Sequence, residues 1–238
     1  MWDKPRLLNA AASALSALAA TLLMLAAAQM LSRSTLLQLR EVTVRGTLAH
    51  TDRDQIARAT QAAVAGSFLA TDLGRVRGAL EQVPWVRRVQ VRRVWPDRLE
   101  IALEEHVALA RWGETELVNT HGERFAATSA DALPVFAGPA GAEAVMTHRY
   151  RRFAELLVPL GEAPERVILT SRYAWQVRLK GGLNLELGRD YAAEPAERRL
   201  ARFVAAYPQT LARMQRRHET VDLRYPNGFA LRVPELNG

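Results

Sequence analysis

Residues 83–107, VPWVRRVQVRRVWPDRLEIALEEHV, carry two alternating runs that meet at a turn. Val89 and Val91 point one way while Arg88, Gln90 and Arg92 point the other, and Leu99, Ile101 and Leu103 repeat the pattern after the turn. A period of two with one apolar side predicts a hairpin with one buried face. Trp95-Pro96-Asp97 makes the connection, because proline fixes its own φ and aspartate bonds the backbone ahead of it. The outward faces set Arg88 and Arg92 against Glu100 and Glu104, so opposite charges can pair across the strands. An ordinary solvated face has the same appearance.

Ahead of the hairpin, Glu41-Val42-Thr43-Val44-Arg45 alternates and meets Gly46, which reads as a short strand ending in a turn. Thr51 and Asp52 are helix caps, and Ile56, Ala59 and Ala63 share one helical face behind them. After Gly66-Ser67, Asp72 caps a second helix with Leu73, Val76, Leu80 and Val83 at helical spacing, and Pro84 stops it. The order is β-α-α-β-β. Three strands with two helices on one face form a compact α+β unit over 38–106.

From Leu7 to Ser32 no residue is charged, and alanine and leucine dominate. About 22 to 25 helical residues reach roughly 33 to 37 Å, enough to cross a hydrocarbon core of about 30 Å. This predicts a transmembrane helix over 10–32 behind a tail of residues 1–9. Ala26-Ala27-Ala28 also resembles a signal-peptide cleavage site, but the apolar run exceeds the ~7 to 15 residues of a signal core. Charge does not orient the helix, since Lys4 and Arg6 on one side face Arg33, Arg40 and Arg45 on the other.

The chain of 238 residues is 49% hydrophobic, so it has the material for two modest domains plus an anchor. Its net charge of +7 suits nucleic acid, anionic headgroups or an acidic partner and does not choose among them. The absence of cysteine excludes disulfides, thiol catalysis and cysteine-ligated metals.

Residues 107–234 read as a β-rich domain with flanking helices. Short strands are expected at Val107–Trp112, Glu116–Asn119 and Arg124–Phe125, and a loop at Ala137–Ala144. A helix over about His148–Leu160 buries Tyr150, Phe153, Leu157 and Leu160. Strands follow around Val167–Leu169 and Tyr173–Lys180, the second turning Tyr173, Trp175, Val177 and Leu179 inward, and Gly181-Gly182 leads into Leu183, Leu185 and Leu187. Glu194–Tyr207 is helical, with Leu200, Phe203, Val204 and Tyr207 inward. The chain closes on Val221, Leu223 and Tyr225, the turn Pro226-Asn227-Gly228, and Phe229, Leu231 and Val233.

No catalytic constellation stands out. The five histidines are scattered, and H-E-x-x-H, G-x-S-x-G, Walker A and G-x-G-x-x-G are all missing. Glu104-Glu105-His106 suggests a metal or acid/base site only superficially, because neighbours on a strand point to opposite faces. We therefore expect no enzyme, no cofactor and no metal. Arg87, Arg88, Arg92 and Arg93 beside Trp85 and Trp95 have the composition of a nucleic-acid surface, yet behind a membrane anchor they read better as an exposed arginine face. A final strand with no later segment to cover it leaves a row of N–H and C=O groups for an incoming strand. Phe229, Leu231 and Val233 lack the lysines that normally blunt such an edge. The plain alternative is that this strand closes the sheet.

The succession Val42-x-Val44-x-Gly46, Pro84-Trp85-Val86, Val91-Arg92-Arg93, Trp95-Pro96, Leu99-x-Ile101 and Glu104 resembles the FtsQ/DivIB family of bacterial cell-division membrane proteins, and residues 38–106 resemble their POTRA domain. Leu117-Val118 with Gly122, Leu133-Pro134, Gly138 and Arg199-Leu200-Ala201-Arg202-Phe203 extend the likeness along the chain. Asn119 stands where the family pattern has aspartate, and Val233-Pro234 replaces an aromatic after Leu231. The resemblance implies a non-catalytic, single-pass inner-membrane scaffold at the septum, with a cytoplasmic N-terminus and its bulk in the periplasm. It implies a C-terminal edge of Leu223, Arg224, Tyr225, Asn227, Gly228, Phe229 and Leu231, with Arg189 as a nearby salt-bridge candidate. It also implies FtsB held with FtsL as the partner, and a weaker recruitment surface at Arg92 and Trp95. A membrane-anchored POTRA protein of a secretion or outer-membrane transport system is the alternative.

Overall fold

A computed structural model describes residues 5–33, 39–64, 68–191, 194–211, 219–225 and 228–232. The chain divides into two compact units, Met1–Glu105 and His106–Gly238.

The first unit begins with helix α1 (Pro5–Arg33). Its stretch Asn9–Ala27 has a mean hydropathy of 1.9 and is long and apolar enough to cross a membrane. Then follow β1 (Glu41–Arg45), α2 (Arg53–Ala63), α3 (Leu73–Glu81), β2 (Val86–Val94) and β3 (Arg98–Glu105), the expected β-α-α-β-β order. Local chemistry explains the boundaries. The Asp52 carboxylate accepts from the Asp54 N–H at 3.1 Å, and that of Asp72 from the Gly74 N–H at 2.8 Å, so each caps its helix. The sheet order is β1-β3-β2, with β1 parallel to β3 and β2 antiparallel to it. Val91 lies opposite Ile101 and Val89 opposite Leu103, and these inward residues pack on Ile56, Val76 and Leu80 from the helices. Gly46 ends β1 with a φ of +141°, and a Cβ there would lie 2.4 Å from the Leu103 carbonyl oxygen, so only glycine fits.

Glu105 ties the end of β3 to the start of α2. Its carboxylate accepts from the backbone N–H groups of Ala49, His50 and Thr51 at 2.8, 3.2 and 2.8 Å. Burial pushes the carboxyl up, but the donors of Thr51, Ala49 and His50 outweigh it and hold the group below its ordinary 4.5. A carboxyl depressed by folding contributes stability above its unfolded value and loses it as pH falls through the folded one. Glu105→Gln should therefore lower the melting temperature at pH 7, and the gap to the parent chain should narrow below pH 4.5. Thermal melts at the two pH values measure it.

The second unit contains β4 (Ala108–Trp112), β5 (Glu116–Asn119), β6 (Arg124–Ala126), β7 (Val135–Ala137), α4 (Glu143–Leu157), β8 (Pro164–Leu169), β9 (Ala174–Leu179), β10 (Asn184–Arg189), α5 (Ala196–Ala206), β11 (Thr220–Asp222) and β12 (Ala230–Arg232). The described strands form one sheet in the order β12-β11-β10-β9-β8-β7-β4-β5-β6. Met146, Phe153 and Leu157 of α4 and Leu200 and Phe203 of α5 are packed with Val167, Trp175, Val177, Leu185 and Val221 in a single core.

Three local expectations need correction. Tyr173 does not continue the inward row of β9; it sits in a turn at φ +59° and is exposed, because β9 starts one residue later. Helix α4 starts at Glu143 rather than His148, so part of the presumed loop is helical. Strand β7, absent from the expectations, is three residues long and owes its place to parallel partners β4 and β8, which no local pattern reveals.

Candidate partner-binding edge

Strand β11 runs parallel to β10, and β12 pairs antiparallel with β11 as the last described strand at that side of the sheet. The expected edge residues divide by orientation. Leu223 is buried in the core, and its N–H donates to the Glu186 carbonyl at 2.9 Å, so it contributes packing rather than contact area. Phe229 meets the ring of Phe203 edge-on at 5.9 Å, and both Phe229 and Leu231 pack half-buried on the core. Gly228 is also half-buried, whereas Ala230 and Arg232 face solvent. Asn227 lies outside the described residues.

Arg224 and Tyr225 are the exposed groups beside this strand. Arg224 Nε donates to both Asp222 carboxylate oxygens, at 2.8 and 3.0 Å, and Glu186 lies 3.7 Å from its Nη2. The Arg224 hydrogen bonds hold the Asp222 carboxyl below its ordinary range, against the opposing effect of burial, and Asp222 raises the guanidinium in return. The stem of Arg224 lies over Gly188, where a Cβ would come within 2.8 Å of Arg224 Cγ. Gly188 has a φ of +74° beside a register shift in the β10–β9 pairing, so glycine is favoured there on both counts. The Tyr225 side chain is 54% exposed, and its carbonyl accepts from Arg202 at 2.9 Å, while Arg202 pairs with Glu194 at 2.6 Å.

Arg189 is exposed at the end of β10, and its backbone is held by Arg199, which the sequence marked only as part of a motif and not as a buried clamp. The Arg199 guanidinium is buried and donates to the carbonyls of Arg189 and Glu194. Asp190 completes the junction by accepting from the Ala196 N–H at 2.7 Å, the Trp175 indole at 3.2 Å and Arg149 at 2.8 Å. Helix α5 thus holds Arg189 on one side and Tyr225 on the other.

The two hairpin residues belong to the first unit. Arg92 donates to both oxygens of Glu100, at 2.8 and 2.9 Å, and Arg45 approaches the same carboxylate at 3.5 Å. Arg88 lies opposite Glu104 in the register, as expected, and Glu104 pairs at 2.6 Å with Arg87, the residue at the register shift between Val86 and Arg88. Trp95 is 65% exposed and touches the buried Phe68 edge-on at 5.3 Å. Arg93 pins that turn by donating to the carbonyls of Phe68, Leu69 and Thr71. Glu104, Glu105 and His106 go to separate tasks, with Asn119 Nδ2 lying 2.8 Å from His106 Nδ1. Among the described residues no group of three or more His, Asp or Glu is arranged to hold a metal ion.

The family model "Cell division protein FtsQ/DivIB, C-terminal" matches residues 110–224, and "POTRA domain, FtsQ-type" matches residues 37–106. The chain belongs to the FtsQ/DivIB family. It is 41% identical over 236 residues to the cell division protein FtsQ of Burkholderia pseudomallei, covering 98% of this chain and 94% of the relative. Against the FtsQ of Nitrosospira multiformis it is 41% identical over 237 residues, covering 98% and 99%. Against that of Escherichia coli it is 33% identical over 204 residues, covering 82% and 72%. The first unit is accordingly an FtsQ-type POTRA domain behind an apolar helix, and a single-pass inner-membrane division protein fits both features. Most of the expected C-terminal edge, from Tyr225 onward, falls beyond the matched 110–224.

Proposed function

We propose that this protein is a non-catalytic divisome scaffold whose β12 edge captures FtsB, held with FtsL, by strand addition, linking septum assembly to peptidoglycan synthesis. The observation that carries this reading is a three-residue strand at the end of the sheet order whose core-side Leu231, like Phe229 just before it, is only half-covered. An added strand would cover them and satisfy the outer row of backbone groups. Tyr225 and Arg224 flank that strand and would supply side-chain contacts, with Arg189 as a further cation for an acidic partner residue. In this reading α1 spans the inner membrane with its N-terminus cytoplasmic and the POTRA and β domains periplasmic, and Arg92 and Trp95 form a second, recruiting surface.

The test is binding of the full chain in nanodiscs to an FtsB–FtsL complex. Tyr225→Ala and Ala230→Lys should each weaken binding about tenfold, roughly 1.4 kcal/mol, without moving the melting temperature. Phe229→Lys is a poorer probe, because its ring packs on Phe203 and the substitution also costs stability. Unchanged affinity in both exposed variants would remove the edge assignment.

A further inference from the structure

Strand β1 is an edge of the three-stranded sheet, at the end of the order β1-β3-β2 among the described strands. Its sequence, Glu41-Val42-Thr43-Val44-Arg45, reads as its own complement when reversed. Paired antiparallel with a second copy about Thr43, it sets Glu41 opposite Arg45, Val42 opposite Val44 and Thr43 opposite Thr43. We propose that β1 is a self-pairing edge through which two copies of this chain join their POTRA sheets.

Three observations support a second copy as the occupant. The charges match: Arg45 already extends the row Arg92–Glu100–Arg45 across the sheet, and a partner's Glu41 would continue it. Val42 and Val44, 36% and 40% exposed, line a groove of about 630 Å³ between β1 and α2 that a second pair of valines would enter. The α2 rim of that groove is Arg53, Ala57 and Gln61, one residue per turn, with the small Ala57 in the middle. A two-fold axis through Thr43 would bring two such rims together with alanine at the closest approach.

A pair of five-residue strands is too small an interface to hold a dimer in dilute solution. Anchoring changes this. Seven residues separate Arg33 of α1 from Glu41, a span of at most about 29 Å, so β1 stays close to a membrane that α1 crosses. Tethering there raises the effective concentration of one edge for another. The surface belongs to the first unit, so its failure and that of the β12 assignment are separate results.

The absence of native cysteine makes the test direct. Directly opposed residues of an antiparallel pair have Cα atoms about 4.5 to 5.5 Å apart, within the 4.4 to 6.8 Å that a disulfide spans. The purified full chain carrying Thr43→Cys, reconstituted in liposomes and oxidised with copper phenanthroline, should form a covalent dimer about tenfold faster than the exposed control Glu114→Cys. Glu41→Cys and Arg45→Cys should each stay at the control rate, since like positions would lie about 13 Å apart along the strands, and should cross-link when mixed. Thr43→Cys at the control rate overturns the proposal, as does Glu41→Cys linking to itself as fast as the mixture. A Thr43→Cys chain that stays monomeric when pure but is shielded from maleimide in cell membranes gives the edge to a foreign strand and likewise overturns self-pairing.

Discussion

Arg199→Met should destabilise the second unit by about 2 to 4 kcal/mol, the cost of leaving buried acceptors without a charged donor. Arg199 is 2% exposed, yet it faces backbone carbonyls rather than a carboxylate, those of Arg189 and Glu194. Its guanidinium also lies 6.0 Å from the ring of Tyr191. Methionine keeps the stem and the packing but offers neither carbonyl a hydrogen. For a unit of this size the melting temperature should fall by about 10 °C. The same substitution should weaken partner capture through Arg189, which would no longer be fixed at the end of β10. Arg199→Lys, able to serve one carbonyl, should recover part of the loss. Thermal melts of the full chain with binding measured below the transition separate the two effects. An unchanged melt would mean that the clamp is dispensable.

Ile101→Asp should unfold the POTRA unit altogether. Ile101 is fully buried in the middle of β3, between β1 and β2, and packs in the core with Ile56, Val76, Leu80 and Val89. A carboxylate there has no donor and no water, at a cost of roughly 4 to 5 kcal/mol on top of about 2 to 3 kcal/mol of lost burial. Small domains hold about 5 kcal/mol or little more in total. Hydrogen exchange on the full chain reads the outcome: amides of β2 and β3 should exchange at unfolded rates while those of β9 and β10 stay protected. Protection retained across β3 would mean the inward face has been misassigned. Val91→Asp, directly opposite Ile101, should be milder, since Val91 is only half-buried and its substituent reaches water.

That contrast shows where alternation stops being informative. Val89, Val91, Leu99, Ile101 and Leu103 were all legible as one face from their period of two, but the depth of each depends on its place in the sheet. The central strand β3 is covered on both sides, whereas β2 is an edge strand. Arg199 illustrates the opposite failure. It lies four residues before Phe203 and beside Leu200, so helical geometry puts it on the buried face, but a charged residue type argues against burial until two carbonyls are seen waiting for it. Gly188 was missed for a related reason: it matters only because Arg224 arrives beside it from the neighbouring strand segment.

The sequence by itself determined the apolar N-terminal helix, the β-α-α-β-β order with its Asp52 and Asp72 caps, the inward rows of the strands and helices, and the family, because each is written in local chemistry or in motifs along the chain. Only the tertiary structure decided which strands are neighbours, that β1 and β12 are left at sheet edges, that Leu223 and Phe229 face the core, and that Arg199 holds Arg189. Strand neighbours and buried polar partners are set by contacts between residues far apart in sequence, where closing the chain and burying a common core act together and no local period records the result.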